Sequence, residues 1–198
     1  MPRLFRPLLT LALAAALLAP GAATAQNEED RRLSPVGIAR THVGDAYVKV
    51  TYGRPYMRDR QIFGPDTTHL VPFDRLWRTG ANEATELTIT GPIRVGGTLL
   101  DAGTYSLFTV PGASSWEVHV SPQLGLDGTG RLDPATGEFT PNVYDPDRNV
   151  ASFSVEPSRT DEPVDPFTMM FEPADTGADL VLRWERTEVR IPVRPPEA

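Results

Sequence analysis

The 198-residue chain has no cysteine, which removes disulfides, thiolate metal sites and the lipid-attachment residue of a lipoprotein together. Its three histidines, His42, His69 and His119, are too far apart in sequence for paired zinc ligands, which usually sit two to five residues from each other. No G-x-S-x-G run offers a nucleophilic serine on a sharp elbow. The aspartates of L-D-G-T-G-R-L-D and Y-D-P-D-R lack the alternating ligand positions and terminal glutamate of an EF-hand, so they read as turn carboxylates. No metal or cofactor is therefore indicated. Sustained helical periodicity is missing, no repeat is visible, and the one long apolar run, Leu8 to Leu18, has about half the roughly 20 residues a membrane span needs.

That run has a positive start at Arg3 and Arg6 and is followed by Ala23, Thr24 and Ala25, the pattern of a cleaved export signal over residues 1–25. Residues 26–33 are polar and charged and read as a flexible leader. The expected mature chain is periplasmic or secreted, without a transmembrane segment. Taking Arg3 and Arg6 from the 19 basic residues leaves 17 against 26 acidic ones, a net charge of −9. Such a balance argues against nucleic acid or an anionic membrane as partner, while leaving room for a local anion site.

From residue 34 onward the signals are those of strands and turns. Residues 46–52 alternate, with Val48, Val50 and Tyr52 on one face. Further short strands follow around Leu87 and Ile89, at 93–95 and 98–100 about a Gly96-Gly97 hairpin loop, and at 104–110 and 115–121. Residues 122–148 interrupt this rhythm as a long loop or insertion, with room for a small hairpin in the middle. Strands resume at 150–155, 167–171, 179–185 and 188–193. About nine short antiparallel strands over residues 34–194 predict an all-β fold, a single β-sandwich with jelly-roll or Greek-key connections. Trp116, Trp184, Phe153, Phe167, Phe171, Met169 and Met170 fit its core.

Residues 52–85 hold most of the side chains suited to chemistry. Arg54, Arg58, Arg60, Arg75 and Arg78 lie there beside Tyr52, Tyr56, Trp77, Asn82 and Glu83. Arginine grips carboxylate or phosphate through a planar two-pronged donor face, and an adjacent aromatic ring offers a stacking surface. The candidate ligand-binding set is Arg54, Arg60, Trp77, Arg78, Asn82 and Glu83, for a small anionic or carbohydrate-like ligand or a polar segment of a partner. The competing view pairs these arginines with Glu83, Asp74 and nearby carbonyls, simply holding a long loop to the sandwich. No catalytic residue is assigned. An envelope hydrolase using Glu83 as acid or base is the alternative function, and a purely structural envelope protein is the third.

Several motifs recur together: Y-G-R-P at 52–55, R-Q-I-F-G at 60–64, W-R-T-G-A-N-E-A-T at 77–85, A-G-T-Y-S-L-F at 102–108, Trp116, Y-D-P-D at 144–147 and L-R-W-E at 182–185. Through them the chain resembles the bacterial family called domain of unknown function 2911. The resemblance implies an exported all-β bacterial protein and no particular activity. The chain departs from the pattern between Pro55 and Arg60, where Tyr56-Met57-Arg58-Asp59 replaces a small residue and a Lys-Gly pair. Its insertion at 122–148 is also longer than usual.

Overall fold

The computed structural model describes residues 33–126, 130–132, 139–141 and 144–197. The expected export signal at 1–25 and all of the expected leader except Leu33 lie outside these residues. In chain order the strands are β1 (Val36–Val43), β2 (Ala46–Gly53), β3 (Phe63–Gly64), β4 (Val71–Pro72), β5 (Thr85–Ile89), β6 (Ile93–Val95), β7 (Thr98–Leu100), β8 (Gly103–Val110), β9 (Trp116–Ser121), β10 (Gly130–Leu132), β11 (Phe139–Pro141), β12 (Ala151–Val155), β13 (Ser158–Pro173) and β14 (Ala178–Arg194). Among the described residues no helix is long and apolar enough to cross a membrane.

The fold is the antiparallel β-sandwich that the alternation predicts. One sheet has six strands in the order β1-β2-β5-β8-β9-β12, and the other has four, β13-β14-β6-β7. The chain crosses between sheets at Gly91-Pro92, returns after β7, and crosses again between β12 and β13. Side chains of both sheets meet in one core: Val48, Val50, Leu87, Leu107, Val118 and Val120 from the larger, and Ile93, Phe167, Leu180, Leu182, Trp184 and Ile191 from the smaller.

Three local departures from the sequence reading have physical causes. Strand β1 was not expected, because its apolar residues are inverted: Val36 and Ile38 are exposed while Gly37 and Ala39 are buried. The Tyr52 ring and the Arg54 stem lie over Gly37, where a Cβ would come within 2.5 Å of Tyr52 Cζ. Second, residues 179–185 and 188–193 are one continuous strand, β14, rather than two. Its buried positions switch from Leu180, Leu182 and Trp184 to Val189, Ile191 and Val193. That change of parity needs one extra residue, and Glu185 takes it with φ of 54°. Third, β8 loses its alternation to the interruption at 122–148, which contains, as expected, a small hairpin, β10 with β11. Its flanks fold back onto β8, where Ser106 donates to the Gln123 carbonyl at 2.6 Å and Phe108 packs on Tyr144 at 4.7 Å. This second covering makes Ser106, Leu107, Phe108 and Thr109 a run of four buried residues instead of an alternating one.

Candidate functional site

The motif segments converge on one end of the sandwich because their backbones interlock. Gly53, at the end of β2, lies so close to the 77–85 loop that a Cβ there would stand 2.0 Å from the Ala81 carbonyl oxygen. The loop is also stitched to β8 by reciprocal bonds between Trp77 and Thr109, at 2.7 and 2.9 Å. Within it, the Thr85 hydroxyl donates to the Thr79 carbonyl at 2.7 Å, and Thr79 and Asn82 take φ of 57° and 64°. Beneath the loop lies an aromatic cluster. Trp77 stacks on Trp184 at 6.0 Å with an 18° interplanar angle, Phe167 lies 5.2 Å from Trp77, and Phe63 lies 4.9 Å from Trp116.

A cavity of about 740 Å³ opens beside this cluster, within the size range of small-molecule sites. Trp77 and Trp184, 6% and 1% exposed, line its buried side. Arg58, Arg60, Arg75 and Arg78 also line it, and among the described residues its lining holds no aspartate or glutamate. The manner in which the arginines are held is informative. Arg60 donates from Nε to the Met57 carbonyl at 3.0 Å and from Nη2 to the Tyr56 carbonyl at 2.9 Å. Arg58 donates from Nη2 to the Leu33 carbonyl at 3.2 Å. Neutral carbonyls fix these side chains without cancelling their charge. By contrast, on the outer face of the four-stranded sheet Arg183, Arg190 and Arg194 each meet a carboxylate, with contacts of 2.8 Å to Glu172, 2.7 Å to Glu172 and 2.7 Å to Asp179. Among the described residues no carboxylate lies within 4 Å of Arg54, Arg58, Arg60 or Arg75.

Of the six residues proposed from the sequence, Arg60, Trp77 and Arg78 line the cavity, and Arg54, Asn82 and Glu83 do not. Arg54 turns instead to β13, donating to the Phe167 carbonyl at 3.4 Å and the Thr168 hydroxyl at 3.1 Å. Its parity carried this information, since Arg54 continues the inward series Val48, Val50, Tyr52. Asn82 donates to the Ser34 carbonyl at 3.1 Å. With Arg58 on the Leu33 carbonyl and the Arg54 amide on the Pro35 carbonyl at 2.8 Å, it clamps the start of the domain along the cavity rim. Glu83 is exposed and engaged with a neighbour. The Trp77 indole N–H donates to the Gly80 carbonyl at 3.1 Å, so its ring edge is committed within the protein.

Arg58, Arg75 and Tyr56, which belong to the 52–85 stretch but not to the six-residue set, and Tyr144, which belongs to neither, all line the cavity. Arg58 and Asp59 have φ of 48° and 60°, the left-handed region that favours glycine, at the place where the resembling family carries Lys-Gly. That tight turn aims Arg58 back at Leu33. Tyr144 arrives from the far side of the long insertion, which no local pattern could have indicated. Burial raises its phenol pKa, offset in part by the Asn149 side chain.

The histidines lie elsewhere. His69 sits with Asp66 at 3.1 Å, and His119 lies between Ser152 Oγ at 3.0 Å and Glu117 at 3.5 Å. Among the described residues no three His, Asp or Glu side chains are grouped to share a metal ion.

Fold and site together define a class: an all-β sandwich carrying an arginine-lined, aromatic-floored cavity at one end. The chain belongs to the family described as "Protein of unknown function (DUF2911)", whose model matches residues 34–193. No curated protein and no solved structure matches it.

Proposed function

We propose that the protein is an exported, non-catalytic binding module whose cavity takes a small anionic ligand. The observation that carries this reading is the charge of the lining: among the described residues it has four arginines and no carboxylate, in a chain whose overall charge is −7. Two of those arginines are already held in place by backbone carbonyls, so binding an anion costs little side-chain ordering. Among the described residues the lining also lacks histidine, which favours holding a ligand over transforming it. Glu83, the residue on which a hydrolase would depend, stands outside the lining.

Thermal unfolding in the presence of phosphate, sulfate and small organic acids tests the reading. A ligand at about 100 times its Kd adds about 2.7 kcal/mol, a rise of roughly 5–10 °C for a domain of this size. Arg75→Ala and Arg78→Ala should each reduce that rise. If no anion moves the wild-type transition, the proposal falls. Export rests on residues 1–25, and N-terminal sequencing of the mature protein should begin at Gln26; retention of an uncleaved chain in the cytoplasm would refute it.

A further inference from the structure

We infer that the ligand is an amphiphilic anion, a carboxylate or phosphate carried on an apolar body, and not a neutral sugar; this rests on the anion-binding reading above. Two independent features of the cavity support it. The first is the exposed apolar surface on its lining. Leu33, Tyr56 and Leu70 are 70%, 41% and 40% exposed, and all three line the cavity. Large apolar side chains left in water around a concave site are the usual mark of a surface that binds apolar matter. They share the lining with the exposed Arg58, Arg60 and Arg75, so fixed positive charge and greasy surface occur together.

The second feature is a shortage of acceptors. Each sugar hydroxyl brings a donor that must find an acceptor once it leaves water. Among the described residues no Asp, Glu, Asn or Gln side chain lines the cavity. The Tyr144 hydroxyl is already shared with Asn149, at 3.0 and 2.8 Å, and the Gly80 carbonyl accepts from Trp77. Guanidinium groups only donate. Ser34 and Tyr56 add two hydroxyls that can accept, so the described lining offers mainly donors and apolar contact, which suits an anion head with a hydrocarbon or aryl tail.

The test is calorimetric titration of the mature protein with n-alkyl phosphates of increasing length below micelle formation, with inorganic phosphate, and with octyl glucoside as a neutral molecule of matched tail. Affinity should rise about fourfold per added methylene while the tail is being buried. Octyl glucoside should bind at least about tenfold more weakly than octyl phosphate. Arg75→Ala should weaken octyl phosphate about tenfold and leave the glucoside unchanged. Leu70→Ser should flatten the dependence on chain length. If inorganic phosphate binds as tightly as octyl phosphate, anion binding stands and the amphiphile inference is overturned. If octyl glucoside matches octyl phosphate and Arg75→Ala changes neither, the cavity is merely apolar and both readings fail. Absence of binding by every compound removes the anion-binding reading, and the inference with it.

Discussion

Gly53→Ala isolates the contact that fixes the cavity wall. The added methyl carbon would stand 2.0 Å from the Ala81 carbonyl oxygen, 2.7 Å from its carbon and 3.0 Å from its nitrogen. An ordinary carbon–oxygen contact is about 3.3 Å or longer, so the 77–85 loop must retreat by about 1 Å or more. Flexible side chains cannot absorb this shift, because the obstructing atoms are backbone. Retreat would strain the Ala81 amide bond to the Gly53 carbonyl, the Trp77–Thr109 pair and the stacking of Trp77 on Trp184. Overpacking of this kind costs about 1–3 kcal/mol, and the rigidity of the neighbours places the expectation near 3 kcal/mol. For a domain of this size that corresponds to a loss of roughly 6–12 °C in Tm. Circular dichroism gives the melting point, and tryptophan fluorescence reports whether the indole stack has opened. A Tm shift below about 2 °C with unchanged fluorescence would mean that the close approach of Gly53 to Ala81 does not hold the loop.

Tyr52→Phe should cost about 2 kcal/mol in urea unfolding. The lost hydroxyl both donates to the Met169 carbonyl at 3.2 Å and accepts from the Met169 amide at 2.8 Å, so a buried amide would be orphaned; a cost under about 0.5 kcal/mol would contradict this. Asp59→Gly relieves a left-handed residue at φ 60° and should raise stability by about 0.5 kcal/mol; a clear loss would show that the aspartate side chain, not the turn geometry, matters. The pH dependence of folding should contain a His119 component. Burial lowers its pKa, against a smaller raising effect of Glu117. Below the ordinary histidine value, about 6.5, the unfolded chain therefore binds a proton that the folded chain resists, and stability falls as pH falls. Unfolding at about pH 5 and about pH 7.5 should show this slope in the wild type and a flatter one in His119→Gln; identical slopes would refute it.

Much of the fold was legible because period-two alternation survives wherever one face of a strand is wet. Val48, Val50 and Tyr52, or Trp116, Val118 and Val120, declare their face without any tertiary knowledge. Alternation fails where burial is governed by something nonlocal. In the first half of β1 the buried residues are Gly37 and Ala39, and a ring from β2 lies over Gly37; on β8 the second face is covered by the distant insertion. The candidate site was legible in part for the same reason. Its stretch was identifiable from composition, and Arg60, Trp77 and Arg78 do line one cavity. Membership of the stretch could not say which arginine points where. Arg54 is drawn to β13 by strand parity, Asn82 is spent on the Ser34 carbonyl, and Tyr144 comes from the far side of the insertion.

The chain alone determined the sandwich class, the absence of thiol chemistry and the concentration of arginines between two runs of strand, since each follows from composition and local periodicity. Whether those arginines are neutralised was decided only in three dimensions. Charge pairing depends on distance across the fold: carboxylates reach Arg183, Arg190 and Arg194 of β14, while Arg58 and Arg60 at the cavity reach carbonyls, which hold a guanidinium in place and leave its charge available.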